Sequence, residues 1–329
     1  MRIVVIGGGS IGERQLRCFA QVEGVKVSIC EPVEEKRERI KATYPVEEAY
    51  TDFAHVPLAD FDATVVCAPA NFHVPMSLEV VKAGRHVLSE KPLSVRPQGC
   101  QELIDATKEK GVVAAVGYVY RNIPHTERLW ERIRAGDIGE VMLVLCKSGH
   151  NWPLIRPEYR NLYFAKLETG GGAILDMISH LYNLGEWLVG KEKQVASFYE
   201  HKGLEGITTE DTVLSLMRYE SGAMGDMHLN LYQWDTRTDI EVIGSEGTLR
   251  VEGGPPPKLG FYHKDKREWE WEEFPAERDT GFIRQANHFV RAMRGEVPVR
   301  CTLEEALWTL RVCWWMRQSQ DEGRFMECG

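Results

Sequence analysis

The chain has 329 residues, 43% of them hydrophobic and 27% charged, with a net charge of −9. That is the make-up of a soluble globular protein of about two domains with room for a large core. There is no basic stripe and no apolar run near the roughly 20 residues that span a bilayer, so nucleic acid and membrane are excluded as partners. The opening "MRIVVIGGGSIGERQ" lacks the apolar core and cleavage site of a signal peptide. Eight scattered cysteines, Cys18, Cys30, Cys67, Cys100, Cys146, Cys301, Cys313 and Cys328, form no CxxC pair. They read as reduced thiols of a cytoplasmic protein.

The first predicted elements are a strand "RIVVI", a glycine turn and an amphipathic helix. Gly7, Gly9 and Gly12 fit GxGxxG, with Ser10 and Ile11 inside the motif. A strand before it, a helix after it and a second strand "VKVSIC" ending at Glu31 make it a dinucleotide fingerprint. The helix N-terminus offers N–H groups and a positive dipole end to a pyrophosphate. A carboxylate at Glu31 suits the ribose hydroxyls and repels a 2′-phosphate, so NAD is expected and NADP is the less favoured cofactor. Arg37 is the nearest arginine that could weaken this preference. A glycine turn in a ligand-free α/β domain, or a fold for S-adenosylmethionine, would share part of the signal.

The alternation continues. "ERIKATY" ends a helix, "DATVVCAPA" is a buried strand, and "HVPMSLEVVKAG" is a helix capped at Gly84. "RHVLSE", the helix "PQGCQELIDATKEKG" and the strand "VVAAVGYVY" follow. Continuous apolar strands between helices mean a parallel sheet covered on both faces. Ligands of such sheets lie beyond the carboxyl ends of the strands. Ala68, Pro69, Ala70, Asn71, Glu90, Lys91, Tyr120 and Arg121 fall there, with His73 just after the first of these loops.

After Arg121 the pattern changes. A helix "PHTERLWERIRAG" leads to "EVMLVLCKSG", then an irregular stretch (150–168) and a helix from about Gly172. The strands "VASFYEH", "DTVLSLMRYE", "GAMGDMHLNLY" and "TDIEVIGSEGTLRVEG" follow, with "GGPPPKLG" (253–260) as a surface loop. Two helices, near 281–294 and 303–319, close the chain. The expected architecture is an α/β Rossmann domain with a parallel sheet (1–121) and a C-terminal α+β domain with a large, mostly antiparallel open sheet (122–329). An open sheet face suits subunit contact, so a homo-dimer or homo-tetramer is expected.

The helix "GGGAILDMISHLYNLGEWLVG" places Asp176 and His180 at i and i+4, with Asn183 on the same stripe. Met177, Leu181, Leu184 and Leu188 form an apolar stripe beside them. Gly170, Gly171 and Gly172 before it imply backbone that passes close to something. The stretch 150–163 gathers Trp152, Arg156, Tyr159, Arg160 and Tyr163, either as a substrate grip or as a rigid loop. His55, His86, His125, His201 and His263 read as surface or packing residues. No His/Glu cluster has ligand spacing, and no metal is expected.

In order along the chain, Gly7-x-Gly9-x-x-Gly12, "APANFH" (68–73), "AGRHVLSEKPLSV" (83–95), "GYVYRNIP" (117–124) and "GGGAILDMISH" (170–180) resemble the Gfo/Idh/MocA family, the relatives of glucose–fructose oxidoreductase and inositol dehydrogenase. The resemblance implies a dehydrogenase or reductase for a sugar, cyclitol or sugar derivative, with Glu-Lys-Pro beside the nicotinamide and a cis Lys-Pro bond. It implies catalytic roles for Lys91, Asp176 and His180, and puts Tyr118, Arg121 and Asn183 on the substrate side; Trp152, Arg156 and Arg160 join them if the stretch 150–163 is the substrate grip. Ile178 stands where many members have glycine, and Asn183 where many have aspartate. The segment 150–166 is similar to a branch associated with modified sugars and sugar acids. A base suits removal of a hydroxyl proton, and a lysine ammonium suits the developing alkoxide. A dinucleotide-binding sensor that does no chemistry, and another redox-assisted reaction on the same scaffold, are the competing readings. Loss of Lys91 or His180 would mark the sensor, and both are present.

Overall fold

The computed structural model describes residues 1–329. Its elements run β1 (Arg2–Ile6), α1 (Ser10–Phe19), β2 (Lys26–Cys30), α2 (Glu34–Thr43), β3 (Val46–Tyr50), β4 (Ala63–Val66), α3 (His73–Lys82), β5 (His86–Ser89), α4 (Cys100–Lys110), β6 (Ala114–Val116), α5 (Pro124–Arg134), β7 (Val141–Asn151) and α6 (Trp152–Ile155). A π-helical stretch (Ala173–Ile178) then enters α7 (Ser179–Val189). The rest are β8 (Glu192–Glu200), β9 (Thr212–Tyr219), β10 (Met224–Asn230), β11 (Tyr232–Gly244), β12 (Gly247–Glu252), β13 (Lys258–His263), β14 (Trp269–Glu273), α8 (Thr280–Met293), α9 (Leu303–Glu322) and β15 (Met326–Glu327). No helix is long and apolar enough to cross a membrane.

The chain divides into two compact units: Met1–Asn122 with Arg278–Leu307, and Ile123–Glu277 with Trp308–Gly329. This corrects the single boundary expected at 121/122. Residues 278–307 return to the first unit because α8 is amphipathic. Its Ala286, Phe289 and Val290 join Leu16 and Phe19 of α1 in one apolar cluster. The Phe19 and Phe289 rings meet edge to face at 6.3 Å, a favoured aromatic geometry.

The first unit holds a six-stranded sheet in the order β3-β2-β1-β4-β5-β6, parallel throughout. The order reverses at β1, and the crevice beyond the strand ends there is where such sheets take a dinucleotide. The second unit holds a nine-stranded sheet, β14-β13-β12-β11-β7-β10-β9-β8-β15. Only the β7–β10 pair is parallel. Helix α7 lies on one face of it so closely that a Cβ on Gly185 would stand 2.4 Å from the Tyr219 hydroxyl. The opposite face leaves Phe198, Leu214, Leu216 and Met224 exposed.

Three local expectations change. The predicted strand "VVAAVGYVY" pairs only over Ala114–Val116, and Val119–Asn122 is a 3₁₀ turn. The surface loop 253–260 ends in strand, since β13 begins at Lys258. The helix expected from about Gly172 opens as a π-helix.

Candidate active site

In the first unit, the glycine turn is built as the motif requires. Gly7 has φ +98°, and a Cβ there would stand 2.8 Å from the Cys67 carbonyl oxygen. A Cβ on Gly12 would meet Gly7 O at 1.8 Å, so helix and strand pack with no side chain between them. A Cβ on Gly9 would meet nothing within 4 Å. That is the open approach a pyrophosphate needs, next to the first-turn N–H groups of α1. Ser10 and Ile11 begin that turn and keep exposed surface.

Glu31 is buried at the end of β2. Its Oε2 accepts from Gly8 N–H (2.6 Å) and its Oε1 from Val33 N–H (2.9 Å). Gly8, which the GxGxxG spacing leaves open, has little room for a side chain: a Cβ there would stand 2.8 Å from Ile40 Cδ1 and 3.0 Å from Glu31 Oε2. Arg37 donates to the carbonyls of Glu31 (2.9 Å) and Pro32 (3.4 Å). Its guanidinium is thus engaged with backbone oxygens. These residues fit a dinucleotide with free ribose hydroxyls.

Past β4, Ala68, Pro69 and Asn71 form the next loop, and His73 opens α3. His73 is buried, with Nδ1 2.7 Å from Pro92 O and Nε2 2.7 Å from Ala68 O. Burial holds its pKa below the usual histidine value against the pull of those carbonyls. The ring therefore ties the Ala68 loop to the loop after Lys91 and presents no face to a ligand.

Beyond β5, the Lys91–Pro92 bond is cis. Glu90 is buried, and burial raises its carboxyl pKa. Its Oε1 accepts from Gln15 Nε2 (2.6 Å) and its Oε2 from Lys91 N–H (3.2 Å). Gln15 Nε2 also reaches Gln285 Oε1 (3.0 Å). A Cβ on Gly117 would press on the Glu90 carboxylate at 3.1 Å. Lys91 itself is partly exposed.

Two expected contact residues of this unit are structural. Tyr118 is 1% exposed and Arg121 is 0% exposed. Arg121 Nη1 donates to Arg300 O (2.8 Å) and to Glu305 Oε1 (2.6 Å). A buried guanidinium needs such partners, and this one has no surface for substrate or cofactor.

In the second unit, the glycine triplet does pass close to something. A Cβ on Gly171 would stand 2.2 Å from Phe164 O, and one on Gly172 (φ +92°) 2.5 Å from Glu210 Oε1. Gly171 N–H donates to Lys166 O (3.0 Å) and Gly172 N–H to Phe164 O (3.2 Å). The π-helix follows, an element often found at functional sites. It carries Asp176, 2% exposed, whose Oδ1 accepts from the Tyr163 hydroxyl at 2.6 Å. His180, partly exposed, lies in the first turn of α7. The step from Asp176 to His180 crosses from π to α winding, so the simple one-face spacing does not apply.

Asn183 is 1% exposed, and its Nδ2 donates to Thr309 Oγ1 (2.9 Å). It packs α7 and does not face a substrate. Trp152 is likewise core, 1% exposed and 4.1 Å from the Phe164 ring. Arg156 lies over the Trp152 ring at 5.2 Å. Arg160 donates to Glu205 O (2.9 Å), as does the Tyr159 hydroxyl. Of the apolar stripe, Leu181, Leu184 and Leu188 are buried and Met177 is partly exposed.

Comparison with known proteins gives this arrangement its context. The family model described as oxidoreductase family, NAD-binding Rossmann fold, matches residues 1–118, and the GFO/IDH/MocA C-terminal domain matches residues 126–250. Myo-inositol 2-dehydrogenase of Thermotoga maritima is 28% identical over 261 residues, 76% of this chain and 74% of its own. Among solved structures, a levoglucosan dehydrogenase in complex with NADH superposes with a TM-score of 0.90 at 18% identity, over 100% of this chain and 99% of that one. The WlbA dehydrogenase of Bordetella pertussis, in complex with NADH and UDP-GlcNAcA, superposes with a TM-score of 0.84 at 24% identity, over 100% of this chain and 99% of that one. With both halves matched in order and the glycine turn, Glu90-Lys91-Pro92 and Asp176–His180 in place, the chain belongs to the Gfo/Idh/MocA family of NAD-binding oxidoreductases.

Proposed function

We propose that the protein is an NAD-dependent dehydrogenase acting on a secondary hydroxyl of a sugar, cyclitol or sugar derivative. Bound NAD would supply the hydride acceptor. Gly7, Gly9, Ser10, Ile11 and Gly12 would hold its pyrophosphate, Glu31 its ribose, and Ala68, Pro69 and Asn71 would line its edge. Lys91 stabilises the developing alkoxide, and His180 accepts the hydroxyl proton. Asp176 sets the charge around that histidine. Arg156 and Arg160 retain exposed surface and are the candidates for gripping an acidic sugar. The observation that carries this reading is Lys91, fixed between the braced Glu90 and Pro92, in a chain that also holds a buried Asp176 before His180. Relatives that act on inositol and levoglucosan support the substrate class.

We also infer a cytoplasmic homo-dimer or homo-tetramer. The free cysteines, seven of them buried, support a reducing compartment, and the apolar open sheet face supports association.

The test is a screen of polyols, sugar acids and nucleotide sugars with NAD⁺, read by NADH absorbance, beside NADH and NADPH titrations. Turnover of a sugar or cyclitol is expected, with NADH bound more tightly than NADPH. NADH binding without any turnover would favour a sensor, and equal NADPH binding would overturn the role given to Glu31.

A further inference from the structure

The irregular segment before the glycine triplet carries a group that the roles above leave unused. Tyr163 is 39% exposed, and its phenol donates to the nearly buried Asp176 carboxylate at 2.6 Å. The segment is held in place through its backbone carbonyls. Thr169 Oγ1 donates to Tyr163 O (2.7 Å), and Thr209 Oγ1 to Phe164 O (3.0 Å). Gly171 and Gly172 close the same loop through Lys166 O and Phe164 O. The lack of a Cβ on Gly171, which would stand 2.2 Å from Phe164 O, is what lets the loop come this close. So the triplet, the loop and the π turn together set a tyrosine hydroxyl on one oxygen of Asp176.

A carboxylate taken so far from water tends to protonate unless donors face it. A phenol at 2.6 Å is a short, charge-assisted donor of that kind. Glu210, which packs against this turn from the segment before β9, accepts from Ile174 N–H (2.9 Å) and pairs with Arg317, and His180 stands at the start of α7.

We propose that Tyr163 is a positioning residue for the reaction: its phenol keeps Asp176 ionised and fixes the direction of the carboxylate. The segment around it thereby serves the site through one hydroxyl, whatever Arg156 and Arg160 do. The proposal rests on the role given above to Asp176.

The test uses the full chain and needs no substrate. Aspartate carboxyl carbons are labelled with ¹³C and titrated by NMR, and the Asp176 signal is identified by its loss in Asp176→Asn. In Tyr163→Phe, which keeps the ring and the backbone bonds, the Asp176 pKa should rise by about one unit or more. Tyr163→Leu should move it the same way with different packing. An unchanged Asp176 titration in both variants overturns the proposal. In turnover of the sugar or polyol that the screen returns, Tyr163→Phe should lower kcat about tenfold with KM little changed. A rise in KM alone would return the tyrosine to substrate binding and also overturn it. If the wild-type chain turns over nothing, the dehydrogenase reading fails, while the NMR result still decides whether Tyr163 controls Asp176.

Discussion

Lys91 and Arg121 both follow strand ends of the first unit, and the structure gives them opposite fates. Lys91 keeps exposed surface while its neighbours are locked: Glu90 by Gln15, and Pro92 O by His73. A reacting group held this way loses little to misplacement. Lys91→Met should therefore bind NADH normally and lose about two to four orders of magnitude in kcat, as expected for a positioned acid–base or electrostatic group. His180→Ala should do the same and flatten the acid limb of the pH–rate profile. Turnover and NADH titration of both variants check this, and near-normal kcat in Lys91→Met would count against the catalytic role. Arg121 instead carries stability. Its partner Glu305 also accepts from Thr302 N–H (2.8 Å), while Glu305 N–H donates to Thr302 Oγ1 (3.2 Å), a capping box at the start of α9. Glu305 is about one-third exposed, so Arg121→Met should destabilise by about 2–3 kcal/mol, less than a fully buried pair would. Denaturant unfolding reads the loss, and weaker NADH binding at unchanged stability would restore its ligand role. The sequence showed the type and place of these residues but not the direction of their side chains. Gln15 did carry a signal: a polar residue beside Leu16 on the buried face of α1 must find a partner.

At the scale of elements, apolar periodicity located strands and helices well where one face is buried. It failed where burial is weak. The strand β3, "VEEAY", exposes Glu47 and Glu48 at the sheet edge, where charge protects an open ladder. Lys26 and Arg2 pair with these glutamates. The pattern of α8 marks a helix and its apolar face but not the unit it packs on, so chain order alone puts residues 278–307 in the second unit while the fold returns them to the first. The π turn at Ala173–Ile178 has no composition of its own and follows from the glycines and Glu210 packed around it. The start of β8 holds another feature that periodicity hides. Glu192 is 1% exposed, and its Oε2 accepts from Trp308 Nε1 (2.8 Å) while Oε1 has no hydrogen-bond partner. Burial pushes its carboxyl up to about 7 from 4.5. A raised carboxyl pKa means that the fold favours the protonated form. Its contribution is full below about pH 4.5 and is lost as pH rises through 7. Glu192→Gln removes this titration. Relative to wild type, the variant should gain about 2.5 kcal/mol of stability between pH 5 and pH 8. Unfolding midpoints at the two pH values test it, and parallel curves would mean that Glu192 does not titrate in the fold.

At the scale of the whole molecule, the sheet types are those the sequence implied, a parallel sheet with a dinucleotide turn in the first unit and a broad, mostly antiparallel sheet in the second. The uncovered face of the second sheet has an order of its own. Phe198 on β8 pairs with Leu214 on β9, and Leu216 on β9 pairs with Asp226 on β10, next to Met224. Phe198 is 73% exposed and Leu216 53%. Farther across the same face the pattern is charged, with Lys147 opposite Asp239 and Arg237 opposite Gly149. An apolar centre with charges of both signs beside it can pair with a second copy of itself, since a two-fold axis sets each patch against its equal. Apolar residues in contiguous exposure on a sheet otherwise invite non-specific association. If this face joins subunits, Leu216→Lys puts a charge at an apolar centre, and two-fold symmetry would bring it near its copy. The dissociation constant should then rise by about 100-fold or more, the sum of lost burial and like-charge repulsion. Sedimentation velocity over a concentration series would show a smaller species in the variant, while NADH binding in the first unit stays unchanged. The same oligomer in Leu216→Lys as in wild type would move the subunit contact elsewhere and leave this apolar face in need of another partner.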